Sequence, residues 1–501
     1  MVLPVMVYFM NKTSDKSENI LRVLRRFDRP LSTYDPVDIQ NAPQHIFLGN
    51  IYSPLLEYSP DGKLVSAVAD QFQWVGNEAH FHINPNLKTI DGYKITAYDA
   101  ENTLKRVFIL HSNTHGDIKS ILCPEAKFAK LSDCCPNMEV RDNGGLLVMK
   151  FKENKTFLFS MLTAMDYGII PSRSVNPKSL AIIDYRNTSG PYYVDKVHEN
   201  KNMDLKANPN HFHYSKKMPQ KVELVYSSNK GPNEPINLFS NKTVDHIFTI
   251  GSTPDVLMDY AEKNKDVNLH ATYPLWLRYF SFTRKGKTRL TEAERITIGK
   301  LVRKAVLPRY SKLKSYDPTG QIFPAFSKGA LSDAQLDAVR KRYASVKERE
   351  VVTTKMTAWF FPEEDIPALK KYFPNTEFVN GPNVPCFVDF SKGKIKEPDF
   401  SFAGTDMGFQ EDASLMAYKI NTEDFHLTGE KGKEWLKAYL ENPNEKQRIE
   451  MLRELHFATL EHADTVPLVF CPYASIVRKP WTLNFSKYTY DNPFWRIYKK
   501  P

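Results

Sequence analysis

Cysteine is scarce, with five residues in 501 and no C-x-x-C spacing, which excludes a disulfide-stapled scaffold and a paired-cysteine metal site. Cys123, Cys134 and Cys135 lie close together, and the spacing is compatible with one loop-closing bridge, from Cys123 to either neighbour, or with free thiols. No stretch approaches the roughly 18 consecutive apolar residues of a membrane span, so no transmembrane segment is expected. RKGKT at 284–288 ends like a phosphate-binding loop, but Ser281 stands where the first glycine is required. There is no G-x-S-x-G elbow, no cysteine-protease signature, no internal repeat and no low-complexity linker, so nothing announces nucleophilic catalysis.

The 42% hydrophobic and 12% aromatic content fits a folded globular chain rather than a disordered one. A chain of 501 residues exceeds one compact core, which predicts two or three lobes. Lys plus Arg exceed Asp plus Glu by 68 to 58, but the charges are scattered and the basic runs are as short as Arg340-Lys341-Arg342. They read as solvated helix faces, not as a nucleic-acid footprint. The opening MVLPVMVYFM is apolar but lacks a basic n-region and a clear cleavage site, leaving both a signal-peptide remnant and a first strand open.

From Gln44 to Val75 short apolar runs flank a Pro60-Asp61-Gly62 turn and predict strand, turn and strand; HFHIN at 80–84 alternates as a strand, and Asp91-Gly92 supplies a turn. In IDGYKITAYDAENTLKR at 90–106, Thr96 and Asp99 are spaced as a capping box, with the threonine hydroxyl expected to accept a backbone N–H. Ala97, Ala100, Leu104, Val107 and Phe108 follow at helical spacing. Ser332 and Gln335 open a second helix with Leu336, Val339, Tyr343 and Val346 as its stripe, and a third runs from about Asn444 through Leu460 into an apolar strand, Val466–Cys471. Strand, helix, strand, strand over 351–408 makes an α/β pattern.

The histidine pairs His80/His82, His211/His213 and His456/His462 have no third ligand in pattern, and no metal or other cofactor is expected. The carboxylate that stands out is Asp406, at the end of a short apolar strand in DFSFAGTDMGFQED. Such a residue suits either a turn or cap, or a pairing with a ligand ammonium in a cleft.

Several separated motifs, taken in order over about residues 22–498, resemble the family 5 extracellular solute-binding proteins, the peptide- and nickel-binding receptors of ABC importers. TYDPVDIQ with GNIYSPLLEYSPDGKLVSAVADQFQW resembles the family's opening; IDGYKITAYDAENTLKR, NTSGPYYVDK at 187–196 and LKANPNHFH resemble its next segments; TVDHIFT at 243–249, SFAGTDMGFQEDASLM and TVPLVFCPYASIVRKPWTLNF resemble its later ones. The resemblance implies an α/β, two-lobed periplasmic binding protein clamshell of the class II type. Residues 1–19 would form an N-terminal segment; 20–56, 165–254 and 472–501 would form lobe I; 57–164 its extra β-rich subdomain; and 255–471 lobe II.

It further implies a non-enzymatic, monomeric receptor, periplasmic or otherwise extracytoplasmic, soluble or lipid-anchored, and peripheral to the membrane. Such a receptor hands oligopeptides or another small solute to ABC permease and ATPase subunits and binds no nucleic acid. Asp406 would pair with the ligand's α-amino group, with backbone groups of Gly404 and Phe402 beside it and Gln40 and Ala42 approaching from lobe I. The chain departs from the family pattern where Phe402 or Ala403 replaces a tryptophan, Gln410, Glu411 and Asp412 replace a DP pair, and Thr283 replaces an asparagine. A receptor for a nickel complex or other non-peptide solute is the alternative. A cytoplasmic regulator would need a helix-turn-helix ahead of the domain, where only about twenty residues stand.

Overall fold

The computed structural model describes residues 19–25, 31–39, 42–110, 116–124, 128–155, 157–228, 231, 233–249, 254–347, 355–380, 397–406, 420 and 425–500. Two mixed sheets form the cores of two lobes. The first has seven strands in the order Val267–Ala271, Ala474–Arg478, His246–Phe248, Ile20–Arg25, Lys221–Tyr226, Met203–Ala207 and Tyr192–Val197. Its central strand, Ile20–Arg25, runs parallel to the strands on either side. Leu21 and Val23 enter one apolar core and Leu24 another, so the sheet is covered on both faces.

The second sheet has six strands in the order Asp317–Pro318, Thr465–Cys471, Trp276–Phe282, Phe400–Asp406, Thr357–Trp359 and Glu377–Val379. Phe280, Phe282, Phe400 and Phe402 pack with Ile298 and Val302 of the helix Glu292–Tyr310. Thr465–Cys471 is buried at every position, as its unbroken apolar run demands.

A four-stranded antiparallel sheet, Ala69–Val75, Glu78–Ile83, Leu146–Lys150 and Met138–Arg141, lies within the stretch expected as the extra subdomain. The helix Ala97–Leu110 buries the expected Ala97, Ala100, Leu104, Val107 and Phe108 in the core that also holds Phe81, Leu147 and Met149. Cys123 and Cys135 form a disulfide here, and Cys134 is free and exposed. Among the described residues no helix is long and apolar enough to cross a membrane.

The structure corrects three sequence expectations. Leu56–Tyr58 and Leu64–Ser66 pair as expected across the Pro60-Asp61-Gly62 turn, but the apolar run before them is a helix, Ala42–Ile51, because Ile46, Phe47, Leu48 and Ile51 all reach the interior only when wound helically against the lobe I core. At Thr96 the cap works from the other side: Asp99 Oδ2 accepts the Thr96 backbone N–H at 2.8 Å, and the hydroxyl donates to the same oxygen at 3.0 Å. Finally, the strand Val267–Ala271, expected in lobe II, pairs along its length with Ala474–Arg478 at the edge of the first sheet, and the helix Pro254–Lys263 contacts both strands. The change of lobe therefore falls near 272. The capping box of Ser332 and Gln335 on the helix Asp333–Ser345 is present, with Val339 as its buried residue.

Candidate functional site

Two chain crossings, 272–275 and 472–473, join the sheets. They are stitched together by Thr272 N–H donating to the Tyr473 carbonyl at 2.9 Å and Tyr473 N–H donating to Thr272 Oγ1 at 2.8 Å. Trp276 opens its strand directly opposite Asp406, which ends the neighbouring one. The alternation of that strand thus delivers a carboxylate to the sheet edge beside the crossings.

Asp406 lines a cavity of about 410 Å³ whose other described walls come from lobe I and the border of the extra subdomain. That volume is in the range of small-molecule sites, roughly 300–1,000 Å³. The lobe I wall is built from two distant segments. Asn50, in the helix Ala42–Ile51, accepts the Phe494 backbone N–H at 2.7 Å and donates to the Ile46 carbonyl at 2.7 Å. Asn492 accepts the Ser475 hydroxyl at 2.8 Å, which ties the same closing segment to the first sheet. These bonds set His45, Tyr490 and Asp491 on the cavity.

His45 Nδ1 lies 3.3 Å from Asp491 Oδ1. Burial disfavours the charged imidazole, but the contact with Asp491, together with the charges of Asp491, Asp166 and Asp406, outweighs it and raises the His45 pKa above its ordinary value. Partial burial opposes ionised Asp491 in the same way, and the contacts with His45 and Thr489 reverse the balance and lower its pKa. An aromatic series runs from this pair across the lobes: His45 on Tyr490 at 5.3 Å, Tyr490 on Tyr473 at 5.3 Å, and Tyr473 edge-on to Trp276 at 5.2 Å. Burial, then the charges of Asp491, Asp406 and Asp166, push the Tyr490 phenol well up.

At another part of the wall Glu57 accepts from His213 Nε2 at 2.9 Å and meets Arg496 at 3.5 Å, while Arg496 also donates to the Tyr58 carbonyl at 3.0 Å. The His213 ring stacks on Trp495. Fully buried His211 accepts the His213 N–H at Nδ1, so its proton sits on Nε2, facing Ser53 Oγ at 3.0 Å. In that tautomer His211 donates to Ser53 and does not act on it as a base.

Of the residues expected from sequence, Asp406 alone is placed on this cavity. Gly404 sits behind it: a Cβ there would lie 2.8 Å from both Trp276 Nε1 and an Arg278 guanidinium nitrogen, so glycine is what lets these side chains cross the strand. The Phe402 ring is buried in the lobe II core, 5.4 Å from Phe361. Ala42 begins the helix that carries His45, and Gln40 lies outside the described residues. His45, Glu57, Asp491 and Arg496 were missed by sequence reasoning; the density of aromatic and charged residues in KYTYDNPFWR, 487–496, was the available signal. Among the described residues no group of three or more side chains could hold a metal ion.

Two lobes, two crossings and a polar, aromatic cavity between them define the two-lobed fold of the periplasmic binding proteins. Solved structures share this architecture. An OppA from Haemophilus influenzae in complex with RPPGFSPFR superposes with a TM-score of 0.74 at 13% identity, covering 96% of this chain and 99% of that one. A periplasmic oligopeptide-binding protein from Borrelia burgdorferi gives 0.74 at 16% identity, covering 96% and 100%. A substrate-binding protein from Microbacterium hydrocarbonoxydans complexed with 4-hydroxybenzoate hydrazide gives 0.68 at 14% identity, covering 96% and 100%. No curated protein matches the chain. Residues 63–307 match the family described as bacterial extracellular solute-binding proteins, family 5 middle. Over those residues the chain is similar to family 5 of the extracellular solute-binding proteins.

Proposed function

We propose that the protein captures oligopeptides between its lobes and presents them to the permease and ATPase subunits of an ABC importer. The observation that carries this reading is the position of Asp406: a strand-end carboxylate from lobe II on a cavity otherwise walled, among the described residues, by lobe I. A peptide's α-ammonium pairs with Asp406 by a charge-assisted hydrogen bond, and its backbone runs along the strand end like an added strand. Backbone groups at Gly404 and Phe402 and the chain around Gln40 and Ala42 take its main-chain hydrogen bonds. Lobe I then comprises 20–56, 165–271 and 472–501, with 57–164 as its extra subdomain, and lobe II spans the residues between the crossings.

In this reading the protein acts outside the cytoplasm as a monomer, free or held peripherally by a lipid anchor, and makes and breaks no bond. The Cys123–Cys135 disulfide supports an oxidising compartment. Of the similar structures described above one holds RPPGFSPFR, one is an oligopeptide-binding protein and one holds a hydrazide, so a non-peptide solute is the competing reading. Mass spectrometry of ligands released from the purified protein decides between them. Peptides are expected, and a co-purifying non-peptide solute with no calorimetric response to peptides would contradict the proposal.

A further inference from the structure

The charged side chains on the described cavity wall are three carboxylates, Asp406, Asp491 and Glu57, against one permanent cation, Arg496, and one histidine, His45. Glu57 is matched by Arg496 and His213. Asp491 is different: its side chain is 47% exposed, and its ion-pair partner His45 is a titratable group 3.3 Å away rather than a fixed cation. The two carboxylates Asp406 and Asp491 belong to opposite lobes, and Asp166 lies close enough to act on the same histidine. When the lobes close on a ligand, water leaves and carboxylates on facing walls repel more strongly, unless positive charge lies between them.

We propose that Asp491 is a second ligand-reading carboxylate and that the cavity selects peptides carrying a lysine or arginine side chain in addition to their α-amino group. This rests on the peptide-capture reading above and names the class of peptide. The α-ammonium answers Asp406, and the basic side chain answers Asp491. A neutral peptide leaves Asp491 to its neighbours on the wall, His45, Thr489 and the charge of Arg496, and an acidic one adds a further negative charge to the wall. The cause is electrostatic complementarity, which discriminates chiefly by penalising the wrong charge.

Calorimetry on the full chain with trialanine and with tripeptides carrying one lysine or one glutamate at each position tests this. The best lysyl peptide is expected to bind about 10-fold more tightly than trialanine, a difference of about 1.4 kcal/mol, and the glutamyl peptides more weakly than trialanine. Asp491→Asn is expected to bring the lysyl and alanyl affinities within about 3-fold of each other. If that variant does not fold, raising the salt concentration with the wild-type protein gives the second readout, because screening shrinks the lysyl preference. Equal binding of lysyl, alanyl and glutamyl peptides, or an undiminished preference in Asp491→Asn, would overturn this inference and leave peptide capture standing. Failure of every peptide to bind would overturn the peptide-capture reading and this inference with it.

Discussion

His45 and Asp491 meet across the lobe I wall at 3.3 Å, the imidazole from the helix Ala42–Ile51 and the carboxylate from the closing segment of the chain. Each shifts the other toward its charged form against the cost of burial. His45 is raised, so its contribution to stability is full below its ordinary pKa near 6.5 and is lost as pH rises through the folded value. Asp491 is lowered, so its contribution is present above about 3.9 and is lost as pH falls through its folded value. The pair is therefore strongest between about pH 4 and 6.5. NMR titration of the His45 ring is expected to give a midpoint above 6.5 that drops in Asp491→Asn; no change on that substitution would contradict the pairing.

Asp406→Asn keeps the shape of the strand end and removes the charge. A hydrogen bond to a charged group contributes about 1.5–3 kcal/mol, so peptide affinity should fall by roughly 10- to 100-fold. Calorimetry beside a thermal melt of the ligand-free variant separates lost affinity from any change in stability.

Gly404→Ala places a methyl group 2.8 Å from the Trp276 indole nitrogen and an Arg278 nitrogen. Both side chains must shift, at a cost of about 1–3 kcal/mol for overpacking. The measurement is urea unfolding followed by tryptophan fluorescence, with a displaced native emission expected because Trp276 moves.

His456 is a buried tether in lobe II. Its Nε2 accepts the Ile322 backbone N–H at 2.9 Å, so Nδ1 carries the proton and donates to the Gly329 carbonyl, also at 2.9 Å. Burial holds its pKa down at about 4. A depressed folded value means that stability present above about 6.5 is lost as pH falls toward 4, at most about 3 kcal/mol for this residue. Urea midpoints at pH 7 and 4.5 should differ accordingly, and an NMR titration of His456 near 6.5 would contradict the tether.

The disulfide between Cys123 and Cys135 closes a short loop in the extra subdomain, with a sequence separation of 12. Replacing either cysteine with alanine should cost about 2–4 kcal/mol in that subdomain. Peptide mapping without reductant should find Cys134 unmodified in the wild-type protein and free to react with a thiol reagent.

How far the sequence was legible follows from where each signal resides. Strands buried on both faces, such as Thr465–Cys471, and helices with capping boxes and regular stripes carry their information locally, and they were read correctly. Ala42–Ile51 was misread because its apolar residues run together and mark helix or strand equally well; only packing against the first sheet decides. The same limit governs the cavity. Asp406 was legible as a strand-end carboxylate within a family-like segment, whereas His45 and Asp491 become neighbours only through tertiary contacts such as Asn50 with Phe494. The lobe boundary was misplaced for a similar reason: Val267–Ala271 joins the first sheet by pairing with Ala474–Arg478, a partner two hundred residues on.

Peptide capture through an ammonium on Asp406 is tested most directly by titrating the protein with one defined tripeptide and with the same peptide acetylated at its amino terminus. Acetylation removes the positive charge and adds bulk where the carboxylate waits, so the affinity is expected to fall at least about 100-fold. Equal binding of the acetylated and free peptides would contradict the account.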